Sequence, residues 1–193
     1  MTTSEIGLRE QILVTARNLF IQQGYHGLAM RQISEAVGVS KAALYYHFKD
    51  KEELFLAILN IYLNEIESAI DKIQSRPTTG SEHIRMFVEY ILGQPAEQRA
   101  VMRLGSQEMA QLSASSRKSF GKVYREKFIG KLIAIFQAGV ERGEFQPLNA
   151  EVATWALLGM MYPYFYPAHT SDKPVPANVI GEIVTIYLKG IEK

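Results

Sequence analysis

The chain has 193 residues and is 47% hydrophobic, which is enough to bury a core in one or two domains. Its formal net charge of +1 does not by itself indicate a nucleic-acid partner. The absence of cysteine excludes a disulfide framework or a thiolate zinc site. No apolar run reaches the roughly 18 residues that span a bilayer, and the N-terminus lacks a signal-peptide segment, so we expect a soluble, cytoplasmic protein.

The first predicted helix runs from about residue 4 to residue 23. Its apolar residues recur at helical spacing: Ile12, Leu13, Ala16, Leu19 and Phe20. Gly24 is suited to end this helix, because glycine tolerates the left-handed conformation that most side chains resist. An apolar stripe then predicts a second helix from about Met30 to Val37, which Gly38 is placed to end.

A third helix is predicted from Lys41 to Phe48, with Ser40 as its N-cap. At about 100° per residue, Leu44 and Phe48 share the side that would anchor this helix. Small, aromatic and cationic side chains then face outward. Two short helices joined by a glycine turn, with such an outward surface, are typical of a unit that inserts into the major groove of DNA.

The run from Gly38 to Lys51, GVSKAALYYHFKDK, closely resembles the recognition segment of TetR-family transcriptional regulators. The resemblance continues through Glu52-Glu53-Leu54 and backwards through Arg31-Gln32-Ile33. About fifty residues carry it strongly, whereas the rest agrees in length and helical layout. The resemblance implies an all-α protein of about nine helices. A three-helix helix-turn-helix domain in residues 1–50 would precede a helical ligand-binding and dimerisation domain in residues 51–193.

The resemblance also implies which side chains contact DNA. Base edges would be read by the residues on the outward surface of the third helix: Lys41, Ala42, Ala43 and Tyr45. Phosphates, which fix register without reading sequence, would be contacted by Tyr46, His47 and Lys51, and also by Ser40 and Arg31, the last of which could reach a base edge. Family members commonly carry Thr or Ser just before the second helix, but this chain has Leu28 and Ala29 there. The missing cap would cost about 0.5–2 kcal/mol unless another group replaces it.

Helical periodicity continues through the rest of the chain. Asp50 and Glu53 form a possible capping box at the start of a long helix that ends near residue 75. Further helices are predicted at about 81–93, 95–112, 115–142, 149–162 and 176–191, because Pro77, Pro95 and Pro147 fall between periodic segments. The segment 163–176 holds four prolines and should be irregular.

Aromatic and methionine residues of the second region could line a ligand cavity, because rings and thioethers suit irregular apolar molecules. Each of them could equally be ordinary core. The candidate ligand contacts, with polar residues that could orient a ligand, are Met86, Glu89, Tyr90, Met102, Arg103, Gln107, Tyr124, Phe128, Trp155 and Tyr162. The run from Trp155 to Met161 is apolar almost all round, which indicates burial on more than one side and favours an interface between two copies.

No coherent catalytic set, metal-ligand spacing or cofactor motif is present, so we expect neither an enzyme nor a metal or cofactor site. The leading hypothesis is a homodimeric repressor that a small-molecule effector releases from a palindromic operator in double-stranded DNA. One alternative is a DNA-binding regulator without small-molecule input, such as a partner-controlled activator or architectural protein. The other is a helical enzyme.

Overall fold

The computed structural model describes residues 7–166 and 173–192, and this part of the chain is helical without strands. The helices are α1 (Leu8–Gln23), α2 (Met30–Val37), α3 (Lys41–His47), α4 (Lys51–Gln74), α5 (Gly80–Leu92), α6 (Ala96–Glu108), α7 (Ala114–Tyr124), α8 (Gly130–Glu141), α9 (Ala150–Met161) and α10 (Ala177–Lys189). A π-helical turn, Arg125–Ile129, joins α7 to α8 without a break. Counted with that join, the described residues form nine helices, and the predicted all-α fold is confirmed.

Most predicted helix boundaries agree with the structure to within a few residues. The predicted helix 95–112 is present but changes form near its end, because α6 stops at Glu108 and continues as a 3₁₀ turn, Met109–Gln111. The irregular segment begins later than predicted, since Tyr162–Phe165 forms another 3₁₀ turn. Residues 1–6 and 167–172, which include the predicted start of the first helix, lie outside the described residues. No described helix has the length and apolar content needed to cross a membrane.

Four side chains accept backbone hydrogen bonds at the starts of α2, α3 and α4. Ser40 Oγ accepts a hydrogen bond of 3.1 Å from Ala43 N, which confirms the predicted N-cap of α3. The predicted capping box at α4 is half correct: Asp50 Oδ1 accepts from Glu53 N at 2.7 Å, but Glu53 Oε2 accepts from Lys49 N at 2.8 Å instead of from Asp50. At α2, which lacks a capping hydroxyl, Gln32 Oε1 accepts from Ala29 N at 2.7 Å.

One compact unit contains the described residues up to 62 together with 101–120. Its core is built from large side chains that are at most 1% exposed: Ile12, Phe20, Leu28, Ile33, Leu44, Phe48, Leu54 and Phe55. Val101, Leu104 and Leu112 belong to the same core cluster. The segment 101–120 therefore packs with the N-terminal helices, although some forty residues separate it from them in sequence.

The second compact unit contains residues 63–100 and the described residues from 121 onward. Its fully buried side chains include Phe87, Phe128, Phe136, Leu157 and Val184. Within this unit α5 packs on α8 and on α10, and α8 packs on α9. The Tyr187 hydroxyl donates to the Ala153 carbonyl at 2.6 Å, which joins α10 to α9.

Candidate DNA-binding surface

The turn between α2 and α3 depends on Gly38. Its φ of 79° and ψ of 31° lie in the left-handed region, and its N–H donates to the carbonyl oxygen of Ser34 at 3.0 Å. Val39 N donates to the same oxygen at 2.9 Å, so the last carbonyls of α2 are satisfied while the chain reverses. Two residues after Gly38 the chain enters α3 through the Ser40 cap.

The two sides of α3 differ sharply in exposure. Leu44 and Phe48 are 0% and 1% exposed, as their spacing predicted. Tyr46 is 87% exposed and Tyr45 50%, which is unusual for large rings. Lys41 and Ala42 are also exposed, while Ala43 and His47 are partly buried. α3 therefore presents the predicted contact residues on the side opposite its anchor.

A cleft of about 540 Å³ lies beside α3. It is lined by residues 26–32 together with Lys41, Tyr45 and Lys51. Three cationic side chains, those of Arg31, Lys41 and Lys51, thus border one concave surface, which favours an anionic partner. Arg31 is exposed and its Nε lies 2.6 Å from Glu35 Oε1, and this hydrogen bond raises the pKa of the Arg31 guanidinium.

Lys51 differs from the other two cations because the backbone holds it. Residues 24–29 form the connection between α1 and α2, hereafter the α1–α2 connection. Lys51 Nζ donates to the carbonyl oxygens of Tyr25 at 2.6 Å and Leu28 at 2.8 Å within it. Desolvation by burial lowers the pKa of the Lys51 ammonium, and the Glu108 carboxylate opposes that shift. The family resemblance predicted a phosphate contact for Lys51, and nothing in the sequence indicated these two carbonyl partners.

The segment 109–117 is tied to the same unit by polar contacts. Ser113 donates to the Glu52 carboxylate from its amide at 2.9 Å and from its hydroxyl at 2.6 Å, and the Ser116 hydroxyl donates to the same carboxylate. His26 Nε2 lies 2.5 Å from Gln111 Oε1. These contacts were not predicted, because their partners are distant in sequence.

The candidate ligand residues are divided between the two compact units. Met102, Arg103 and Gln107 lie in the first compact unit, and the other seven lie in the second. Of these seven, Met86 and Tyr90 are partly buried and Glu89 is exposed, all three on α5. On α9 and the turn after it, Trp155 and Tyr162 are 48% and 37% exposed.

Tyr124 and Phe128 do come together, with ring centroids 5.3 Å apart. Phe87, which sequence reasoning did not select, lies 6.0 Å from Phe128. Burial raises the pKa of Tyr124 to about 12, so its phenol is neutral at physiological pH. The π-helical turn Arg125–Ile129 lies at this aromatic cluster, and such turns occur frequently at functional sites.

α9 and α10 each have one buried and one exposed apolar side. Leu157 and Val184 are 0% exposed, whereas Val152 and Ile186 are 64% and 65% exposed. Trp155 shares the exposed side of α9. Among the residues described, no group of three potential metal-binding side chains is found.

Two family models match successive parts of the chain. Residues 12–58 match the model described as bacterial regulatory proteins, tetR family. Residues 77–163 match the model of the tetracyclin repressor-like C-terminal domain. The first match runs from within α1 into α4, and the second covers α5 to α9.

A curated relative is the HTH-type transcriptional activator FasR of Mycolicibacterium smegmatis, 36% identical over 81 residues, which are 42% of this chain and 37% of FasR. The chain spans 31–46% of the length of the first three curated relatives that it matches. These alignments therefore cover one part of each protein.

Solved structures extend the similarity to nearly the whole chain. The TetR-family transcriptional regulator PfmR of Thermus thermophilus has a TM-score of 0.77 and 30% identity, over 94% of this chain and 99% of PfmR. AibR, solved in complex with isovaleryl coenzyme A and operator DNA, has a TM-score of 0.74 and 23% identity, over 95% of this chain and 97% of AibR. The second similarity concerns the fold alone.

Proposed function

Because this chain belongs to the TetR family of bacterial transcriptional regulators, we propose that it is a homodimeric repressor, released from a palindromic operator by a small-molecule effector. Members of this family are DNA-binding regulators and not enzymes. A regulator that binds the bacterial chromosome works in the cytoplasm, where we place it.

The observation that carries the DNA-binding proposal is the orientation of α3. Leu44 and Phe48 fix one side of this helix in the core, so its other side is presented as a rigid surface. On that surface small side chains permit close approach to base edges, and the flanking aromatic and cationic groups can reach phosphates. We assign base contacts to Lys41, Ala42, Ala43 and Tyr45, and phosphate contacts to Arg31, Ser40, Tyr46 and His47.

The exposed apolar sides of α9 and α10 support dimer formation. Val152, Trp155 and Ile186 present large apolar groups to solvent in a single copy, and a second copy would cover them. A two-fold dimer matches a palindromic operator, with half-site centres about 34–36 Å apart in successive major grooves.

The aromatic cluster of Phe87, Tyr124 and Phe128 supports an effector with an apolar or flat part. AibR was solved with both isovaleryl coenzyme A and operator DNA, so this fold accommodates both kinds of partner in that protein. An effector releases DNA only if it binds more tightly to the conformation that does not fit the operator.

Selection of random duplex DNA by the purified protein tests the proposal. We expect enrichment of a palindrome whose half-sites are about 10 bp apart, centre to centre. Tyr46→Ala should weaken binding to all selected sequences. Tyr46→Phe keeps the ring and removes the hydroxyl, so it shows which of the two makes the contact. Failure of the native protein to enrich any sequence would contradict DNA reading, and unchanged binding by Tyr46→Ala would contradict the contact assignment. Mapping bound fragments across the genome would then name the neighbouring genes.

The alternative of a DNA-binding regulator without small-molecule input stays open, because the predicted ligand contacts are divided between the two compact units. An operator complex that no cavity-binding compound dissociates would support this alternative.

A further inference from the structure

Lys51 is oriented inward, towards the backbone of the α1–α2 connection. Two hydrogen bonds of 2.6 and 2.8 Å join its ammonium to the Tyr25 and Leu28 carbonyls. The ammonium also lies 4.3 Å from the centroid of the Tyr25 ring, within cation–π range. Because an ammonium has three N–H donors, two of the three are directed at protein carbonyls.

The two carbonyls belong to residues that are themselves fixed. Tyr25 and Leu28 are 8% and 1% exposed, and both lie in the core cluster of the unit. Ala29 follows directly, and α2 begins at the next residue. The Lys51 side chain therefore links the start of α4 to the segment that sets where α2 begins.

This link has particular importance because the chain lacks a capping hydroxyl before α2. The first N–H groups of a helix have no intrahelical partner, and a Ser or Thr side chain usually satisfies one of them. Here the Ala29 side chain has no atom that could accept a hydrogen bond, and the Gln32 side chain accepts one from the Ala29 amide. Neither Lys51 nor Gln32 accepts from those first-turn amides, but together the two side chains bond to three backbone groups of the α1–α2 connection.

We propose that Lys51 is a positioning residue, which fixes the α1–α2 connection and thereby the N-terminal end of α2, and that it does not serve as a phosphate contact. This inference rests on the proposed function. It assigns to Lys51 a different role from that of Arg31, whose side chain is exposed beside the same cleft.

Salt dependence of DNA binding separates the two roles. The logarithm of the operator-binding constant falls linearly with the logarithm of the salt concentration. Removing one phosphate contact reduces the magnitude of this slope by about 0.9, so removing the same contact from both subunits reduces it by about 2. We expect Lys51→Met to weaken operator binding at least tenfold with the slope unchanged, and Arg31→Met, which removes an assigned phosphate contact, to reduce the slope by about 2. Lys51→Arg should restore most of the affinity, since a guanidinium can also donate to two carbonyls.

Hydrogen exchange followed by NMR tests whether Lys51 fixes the α1–α2 connection in protein without DNA. The Ala29 amide donates to Gln32 Oε1 and the Ile33 amide donates to the Ala29 carbonyl, so we expect both amides to exchange slowly in the native protein. In DNA-free protein, Lys51→Met should accelerate exchange of both amides at least tenfold. The Gly38 amide, at the far end of α2, serves as the internal control and should keep its protection.

The outcomes are distinguishable. A slope reduced by about 2 in Lys51→Met would make Lys51 a phosphate contact and overturn the proposal. Unchanged exchange at Ala29 and Ile33 would overturn it even if no operator is found. Lower thermal stability with unchanged affinity would also overturn it, because Lys51 would then serve packing alone. If Lys51→Met accelerates exchange but the native protein selects no DNA, the positioning role of Lys51 is supported and the proposed function is contradicted.

Discussion

The N-terminal unit and the unit that holds α8 to α10 are both helical, yet they hold their candidate sites differently. In the first, Leu44 and Phe48 anchor one short helix, so a single orientation places every outward residue. In the second, Tyr90, Tyr124 and Trp155 lie on different helices with different exposure. A site on one helix is determined by the period of that helix, whereas a site shared among helices depends on how they pack.

The largest effects should come from equivalent core deletions in the two units. Phe55 is 0% exposed in the first and Phe136 is 1% exposed in the second. Either Phe→Ala change leaves a cavity and should lower the free energy of unfolding by about 3–5 kcal/mol. Denaturant unfolding measures both, and a loss below about 1 kcal/mol would contradict the core assignment of that ring.

The next largest effect, on dimerisation, should differ between an exposed apolar residue of one unit and one of the other. Trp155 and Val14 are 48% and 42% exposed, but only Trp155 lies on the proposed dimer surface. Trp155→Ala should weaken dimerisation by about 2 kcal/mol, or about thirtyfold, as expected for a buried interface tryptophan. Val14→Ala is the matched control and should leave dimerisation unchanged. Sedimentation equilibrium measures both, and a native protein that is monomeric at micromolar concentration would exclude the dimer.

The sequence predicted the N-terminal elements well because short-range rules decide them. α2 has the predicted ends, Ser40 caps α3 as expected, and Leu44 and Phe48 are buried. The exposure of Tyr46 follows from the same period. The contact roles assigned to these residues stay predictions, as does the domain boundary after residue 50.

Long-range contacts could not be predicted, because periodicity shows which side of a helix is apolar but not what covers it. Val101 and Leu112 lie on predicted helical positions, but nothing local indicates that they join the core of α1 to α4. The carbonyl partners of Lys51 likewise lie more than twenty residues away. Apolar residues recur at helical spacing through the π-helical turn at Arg125–Ile129, so the sequence predicted one continuous helix there and did not indicate the turn.

A smaller effect distinguishes two glycines that the units use differently. Gly38 has φ of +79°, so Gly38→Ala should cost about 1–2 kcal/mol through backbone strain, despite open space around its Cβ position. Gly121 lies within α7, also with open space, and Gly121→Ala should stabilise by about 0.5–1 kcal/mol. Thermal unfolding of the two variants should shift in opposite directions. A shift in the same direction would contradict the left-handed turn.

The smallest effect concerns the carboxylate that ties segment 109–117 to α4. Hydrogen bonds from Ser113 and Ser116 lower the pKa of Glu52, with Lys49 adding a small contribution. Glu52→Gln keeps the side-chain shape but removes the charge that strengthens these bonds. Because Glu52 is solvent-accessible, we expect a loss of only about 1 kcal/mol in the free energy of unfolding at neutral pH.

The pH dependence of that loss identifies its cause. A folded-state pKa below the unfolded value means that ionised Glu52 stabilises the fold above the unfolded value of about 4.3. This contribution is lost as the pH falls through the lower folded-state pKa, because the carboxylate then becomes protonated in both states. The stability difference between native protein and Glu52→Gln should therefore be constant above about pH 5 and shrink in acid. A Glu52→Gln effect that persists undiminished in acid would assign the loss to packing instead of charge.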